Sequence, residues 1–261
     1  MPNARVVKSL FNKPDRSPNG IGTNYREDIK GLYGRPDETQ WHTFFEDFDY
    51  LPATAKFTAV LVGAGSVNAT TTGQDGGVNT LTNSALINDA TSNIQATANF
   101  LPDSKRSLIA ECKFEVDDVT NAHFGFGMVA GGLTPFTYTE GIAIRKIAGA
   151  NTFTIEVKKA GTTAATLAFA GVGLIVNTQV TVGFAYKGPG PSYGTSATGQ
   201  EFLFKLDLND GNGPRYQSLF VPTANVPTSL LGVAYGVLNT TAAARTAKVD
   251  YVFAAKDRFY Q

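Results

Sequence analysis

The chain has 261 residues, 22 Lys and Arg against 22 Asp and Glu, and no formal net charge, so bulk electrostatics favour neither nucleic acid nor an anionic membrane as partner. No apolar run approaches the ~20 residues that cross a bilayer, and one cysteine, Cys112, rules out a disulfide framework or a Cys-rich zinc site. His42 and His123 are the only histidines, too few for a histidine metal centre without long-range coincidence, and a serine–histidine pair is equally hard to build.

Residues 1–40 stand apart. Their Pro14, Pro18 and Pro36 and scattered glycines oppose regular structure, and MPNARVVKSLFNKPDRSPNG lacks the apolar core of a secretion signal. A wholly solvated tail has little use for Leu10, Phe11, Tyr25, Leu32 and Tyr33. With Arg5, Lys8, Arg16 and Arg26 among them, these residues predict an extended arm that orders against a partner.

From Trp41 onward the pattern is β. FFEDFDYL is followed by FTAVLVGAGSVNATT, residues 57–71, where an apolar run enters Gly63-Ala64-Gly65 as a strand enters a dinucleotide-binding turn. That turn needs a third glycine and then a helix. Asn68 stands at the third position, and ATTTGQDGG is a poor helix former; a strand ending in a glycine turn is expected instead. Further strands are expected in 93–100, 107–118, 121–130, 141–147, 152–160, 177–187, 201–208, 215–221, 229–238 and 247–256. In SLIAECKFEVDD the period is two, with Leu108, Ala110, Cys112, Phe114 and Val116 toward a core. Ile109, Glu111, Lys113, Glu115 and Asp117 face away. Turn signals (GQDGG, IAGAN, KGPGPSYG, NDGNG) separate the runs. No helix–strand rhythm or internal repeat intervenes, so the fold class is an all-β, two-sheet antiparallel sandwich.

Three stretches carry candidate chemistry. EVDD, Glu115–Asp118, matches the first half of an E-x-D-x-x-E glycosidase strand, but the position for the second Glu holds Thr120; a charged solvent face is the plainer reading. DLNDGNG, residues 207–213, resembles a calcium loop but is one residue short before Gly211, and a hairpin explains it without metal. Trp41, Phe136, Tyr138 and Tyr193 are the aromatics that could stack on sugar rings, Phe136 and Tyr138 lying beside turns in GGLTPFTYTEG. In HFGFGMVAGG, Phe124, Phe126 and Met128 alternate with Gly125 and Gly127, which let another group approach that face closely.

FFEDFDY, the central HFGFGMV with TEGIAIRKIAGANTFTIEV, and the closing AKVDYVFA together resemble a concanavalin A-like or laminin G-like jelly roll over about residues 41–258. In that superfamily an early acidic-Phe strand often pairs with a late aspartate-aromatic-valine strand. A jelly roll carrying a Pro/Gly-punctuated arm resembles auxiliary virion proteins of tailed bacteriophages. The resemblance implies a non-enzymatic capsid decoration or cement protein without cofactor or metal, a homo-oligomer in a virion assembled in the host cytoplasm. Residues 1–40 would be the arm and 41–261 the jelly-roll sandwich. Arg5, Lys8, Leu10, Phe11, Arg16, Tyr25, Arg26, Leu32 and Tyr33 would meet the major capsid protein or another virion protein, with neither nucleic acid nor membrane as partner. The alternative is a carbohydrate-binding module of a fibre or tail.

Overall fold

The computed structural model describes residues 41–48, 56–63, 66–71, 77–102, 106–132, 134–147, 149, 152–169, 173–187 and 199–258. In chain order the strands are β1 (Trp41–Glu46), β2 (Phe57–Val62), β3 (Val67–Thr71), β4 (Val78–Thr82), β5 (Ala90–Gln95), β6 (Leu108–Val116), β7 (Ala122–Ala130) and β8 (Glu140–Lys146). They continue as β9 (Phe153–Lys159), β10 (Thr162–Phe169), β11 (Val180–Lys187), β12 (Gly199–Asp207), β13 (Arg215–Pro222), β14 (Gly232–Asn239) and β15 (Thr246–Asp257). The only helical element among the described residues is one 3-10 turn at Thr223–Asn225.

The strands form two antiparallel sheets. The eight-stranded sheet runs β13-β12-β11-β6-β15-β4-β3, with β1 also on β15; the seven-stranded sheet runs β10-β9-β8-β7-β14-β5-β2. β15 pairs with β4 through Thr246–Val249 and with β1 through Val252–Asp257, so two short strands share one long partner. A register shift between Val249 and Tyr251 places Asp250 in a bulge, where its carboxylate meets Lys113 Nζ at 2.6 Å. The pairing of the early FFE step with the late DYVF strand is as the sequence pattern suggests: Phe45 lies opposite Phe253 and Glu46 opposite Val252.

Alternation explains the core. Leu108, Ala110, Cys112, Phe114 and Val116 of β6 all point inward, against Phe124, Phe126 and Met128 of β7 in the facing sheet. Phe114 stacks on Phe124 with centroids 3.6 Å apart and meets Phe153 edge-on. Cys112 is fully buried, and burial pushes its thiol well up, so it behaves as a small hydrophobe.

Some expectations need correction. The strand expected at 93–100 is instead Ala90–Gln95. Gln95 ends it by donating to Asn99 and accepting from the Val233 amide, and Phe100 reappears only as a bridge to Leu231. β3, β4 and β10 escape the sequence pattern because VNATT and VNTLT place asparagine inward and TTAATLAF is small and mostly exposed. On the outer face of β6, Ile109 and Glu111 are buried where a solvated face was expected.

Register also fixes two ends. β1 begins and β15 finishes at one end, where Trp41 lies opposite Asp257. The β2–β3, β4–β5, β6–β7, β12–β13 and β14–β15 connections lie at the opposite, far end.

Candidate functional site

Of the EVDD carboxylates, Glu115 and Asp118 are engaged, while Asp117 is exposed. Glu115 Oε1 accepts from Lys248 Nζ at 2.8 Å across the β6–β15 ladder. Asp118 turns the β6–β7 corner, accepting from the Thr120 and Asn121 amides at 2.7 and 2.8 Å and pairing with Arg245 at 3.0 Å. Burial raises its pKa, but the Asn121 and Thr120 bonds and the Arg245 charge outweigh that and hold it below the ordinary range. Thr120, where a second Glu would sit in the glycosidase pattern, lies in this turn. DLNDGNG is the β12–β13 hairpin loop: Asp207 and Asp210 accept from the Asn209 and Asn212 amides, each at 3.0 Å, and Asp210 pairs with Arg215. Asn209, Gly211 and Gly213 take positive φ there. No cluster of three or more His, Cys, Asp or Glu able to hold a metal occurs among the described residues.

The four candidate sugar-stacking aromatics are not brought together. Trp41 lies within β1, only 4% exposed, packed with Ile109, Ala185, Phe253 and Ala255. Tyr138 is buried on the outside of the seven-stranded sheet beside Val129, Ala143 and Ala234. Its hydroxyl donates to Glu156 Oε2 at 3.2 Å, and Lys158 sits over its ring at 4.6 Å. Phe136 is half-buried, and Tyr193 lies outside the described residues, as do the nine arm residues from Arg5 to Tyr33.

Around Tyr138 the chemistry is structural. Glu156 accepts from Thr163 at 2.6 Å and Arg145 at 2.8 Å, with Lys158 at 3.5 Å. Burial raises its pKa, and the Thr163 bond with the Arg145 and Lys158 charges lowers it further than burial lifts it. The loop that carries Tyr138 folds on Thr134, whose hydroxyl accepts from the Phe136 and Thr137 amides at 3.1 and 3.0 Å. Gly125 supplies its floor. A Cβ there would lie 2.9 Å from Phe136 Cε1 and 3.0 Å from Pro135 Cγ. Gly125→Val should therefore cost about 2 kcal/mol and raise amide exchange at 134–139, measured by denaturant unfolding and hydrogen exchange.

Two features were not visible in the sequence. Between the sheets, Asn68 donates to Asn93 at 2.7 Å, Asn93 to Asn79 at 2.9 Å and Asn79 back to Asn68 at 2.7 Å. Tyr235 joins this amide ring through Asn93 and Asn79. At the far end, Leu61, Val62, Val67, Leu86 and Ile87 are all exposed, Leu86 and Ile87 at 59% each. Val62 pairs opposite Ala90 and Val67 opposite Thr82, and Ser66 links the two strands by donating to the Val62 carbonyl and accepting from the Ser84 amide. The five side chains thus share one corner, an apolar patch of the kind that marks a docking site.

No protein-family model matches the chain, and no curated protein matches it. Solved structures do. An endo-1,3-beta-glucanase from Streptomyces sioyaensis superposes with TM-score 0.57 at 14% identity, covering 84% of this chain and 97% of its own. Peanut lectin gives 0.56 at 10%, covering 83% and 97%. Lectin II from Ulex europaeus gives 0.56 at 13%, covering 82% and 98%. The fold is a concanavalin A-like jelly roll. At these identities the likeness concerns the jelly roll alone; the neighbours include both lectins and a hydrolase.

Proposed function

We propose that the protein is a non-enzymatic structural component of a viral particle, a decoration or cement protein held on the shell by burial of surface. The apolar corner formed by Leu61, Val62, Val67, Leu86 and Ile87 carries this reading. Its side chains are all exposed and aliphatic, which suits a protein partner better than a polar solute. Support also comes from Glu111 and Glu115 on β6 and Asp118 just after it, each tied to a lysine or arginine. The arm adds a second contact through Arg5, Lys8, Leu10, Phe11, Arg16, Tyr25, Arg26, Leu32 and Tyr33. Ordering it costs about 1–2 kcal/mol per residue, and two linked contacts per copy offset that by raising effective concentration.

The test is co-sedimentation of the full chain with particles purified from its source and stripped of it. Leu86→Asp with Ile87→Asp, both surface changes, should abolish most retention while leaving the unfolding midpoint unchanged. Undiminished retention would remove the patch from the account. The second reading, a carbohydrate-binding module, is favoured by the fold shared with the lectins; saturable binding of the full chain to a glycan array, with no binding to particles, would put it first.

A further inference from the structure

β13 ends the eight-stranded sheet, and among the described residues β12 is its only strand partner. Its side chains are open: Arg215, Tyr216, Gln217, Ser218 and Phe220 are all exposed, Tyr216 at 36% and Phe220 at 54%. A strand in this position presents a row of backbone N–H and C=O groups to whatever lies beside it. Folded proteins guard such an edge with lysines, a bulge, a mid-strand proline or a very short strand. β13 has none of these. Its eight residues pair with β12 from Leu206 to Gly199 without a register shift, and its one proline, Pro222, stands at the last position. Its one charge, Arg215, is drawn back to Asp210 of the same hairpin at 3.1 Å. β10 ends the other sheet on the same side; it is broken by a bulge between Thr163 and Ala165 and carries mostly small side chains, so it leaves room beside β13.

We propose that β13 is the joint between two copies of this chain, which pair antiparallel about a two-fold axis and continue one sheet into the next. The strand's own sequence selects this partner. In an antiparallel pair, residues opposite each other point to the same face. Two identical sandwiches therefore keep inner face beside inner face only when the axis passes through a residue rather than between two. Centring it on Ser218 sets Tyr216 against Phe220 of the second copy, and Phe220 against its Tyr216, two aromatic cross-strand pairs from one contact. Gln217 then lies opposite Leu219 and Arg215 opposite Val221, so no like charges meet. The Phe220 ring is laid along the sheet for this, over Gly199, where a Cβ would collide with it. Moving the axis to Leu219 would set Tyr216 against Pro222, which has no N–H for the ladder. The self-match of the two aromatics favours a second copy over an extended peptide of another protein, which would need only the backbone row. The joint does not depend on the viral reading.

The test begins with the mass of the native full chain by light scattering at micromolar concentration, which should be twice 27.7 kDa. Ser218→Lys, an exposed change that sets two ammonium groups against each other on the axis, should return it to the mass of one chain with an unchanged circular dichroism spectrum. Ser218→Cys should form a disulfide-linked dimer in air, because residues facing each other on the axis bring their Cα atoms within the roughly 4.4–6.8 Å that a disulfide spans. Cys112 is fully buried and takes no part. Thr58→Cys, exposed on the β2 edge of the other sheet, should stay monomeric. A native chain of single mass, a dimer that persists in Ser218→Lys, or crosslinking of Ser218→Cys no faster than that of Thr58→Cys would each overturn the joint.

Discussion

Asn93→Ala should destabilise the sandwich by about 3–5 kcal/mol, measured as a shift in the urea midpoint at unchanged m-value. The native side chain donates to Tyr235 and Asn79 and accepts from Asn68, in a site closed to water. Alanine removes these bonds at once, leaves an Asn68 donor without its acceptor and leaves the Tyr235 hydroxyl bonded to Asn79 alone. The ring ties β3 and β4 of one sheet to β5 and β14 of the other, so its loss also loosens the edge that carries the far-end patch. Tyr235→Phe should cost less, about 1–2 kcal/mol, because only the hydroxyl is lost. The two changes together should cost less than their sum, since they remove the same Asn93–Tyr235 bond. Simple additivity in that double-mutant cycle would mean the amide ring and the tyrosine act separately.

Lys146→Met should be nearly as damaging, at about 2–4 kcal/mol near neutral pH. Lys146 lies on the inner face of β8, between Phe124 and Phe153, and its ammonium donates to the carbonyls of Val119 and Ala122 in the β6–β7 corner. Methionine fills the volume but leaves both carbonyls without a donor. Burial pushes the Lys146 ammonium down to about 8, with the Asp118 charge pulling the other way. The unfolded value is about 10.4, so between about pH 8 and 10.4 the unfolded chain binds the extra proton. The contribution of Lys146 to stability therefore rises with pH through that window and is flat below it. Unfolding titrations of the native chain and Lys146→Met should diverge there, the native chain gaining; parallel curves would place the ammonium in water.

The layout of the sandwich was largely legible. Period-two runs such as SLIAECKFEVDD carry their own inward pattern, and the β1–β15 pairing is the one that the resemblance to jelly rolls implied. What was illegible has a physical reason in each case. Asn68 and Asn79 give no sign of an inward role, because an asparagine buried among other amides only makes sense once distant strands meet. Glu111 looked like a solvent-facing charge, yet Lys205 and Tyr251, 94 and 140 residues away, reach it from neighbouring strands. Lys146 ends an amphipathic run as a charge normally would, and only the fold turns it onto two carbonyls. Trp41 and Tyr138 read as aromatics that could stack on a sugar ring; the fold packs both against apolar neighbours. The far-end patch is spread over two connections, β2–β3 and β4–β5, and no local window contains it.

The most direct measurement is quantitative mass spectrometry of particles purified from the source, giving copies of this chain relative to the major shell protein. A decoration role predicts a fixed ratio of the same order as the shell protein, reproducible across preparations. Absence of the chain from intact particles would contradict the virion account and leave the jelly roll to be explained by its glycan-binding alternative.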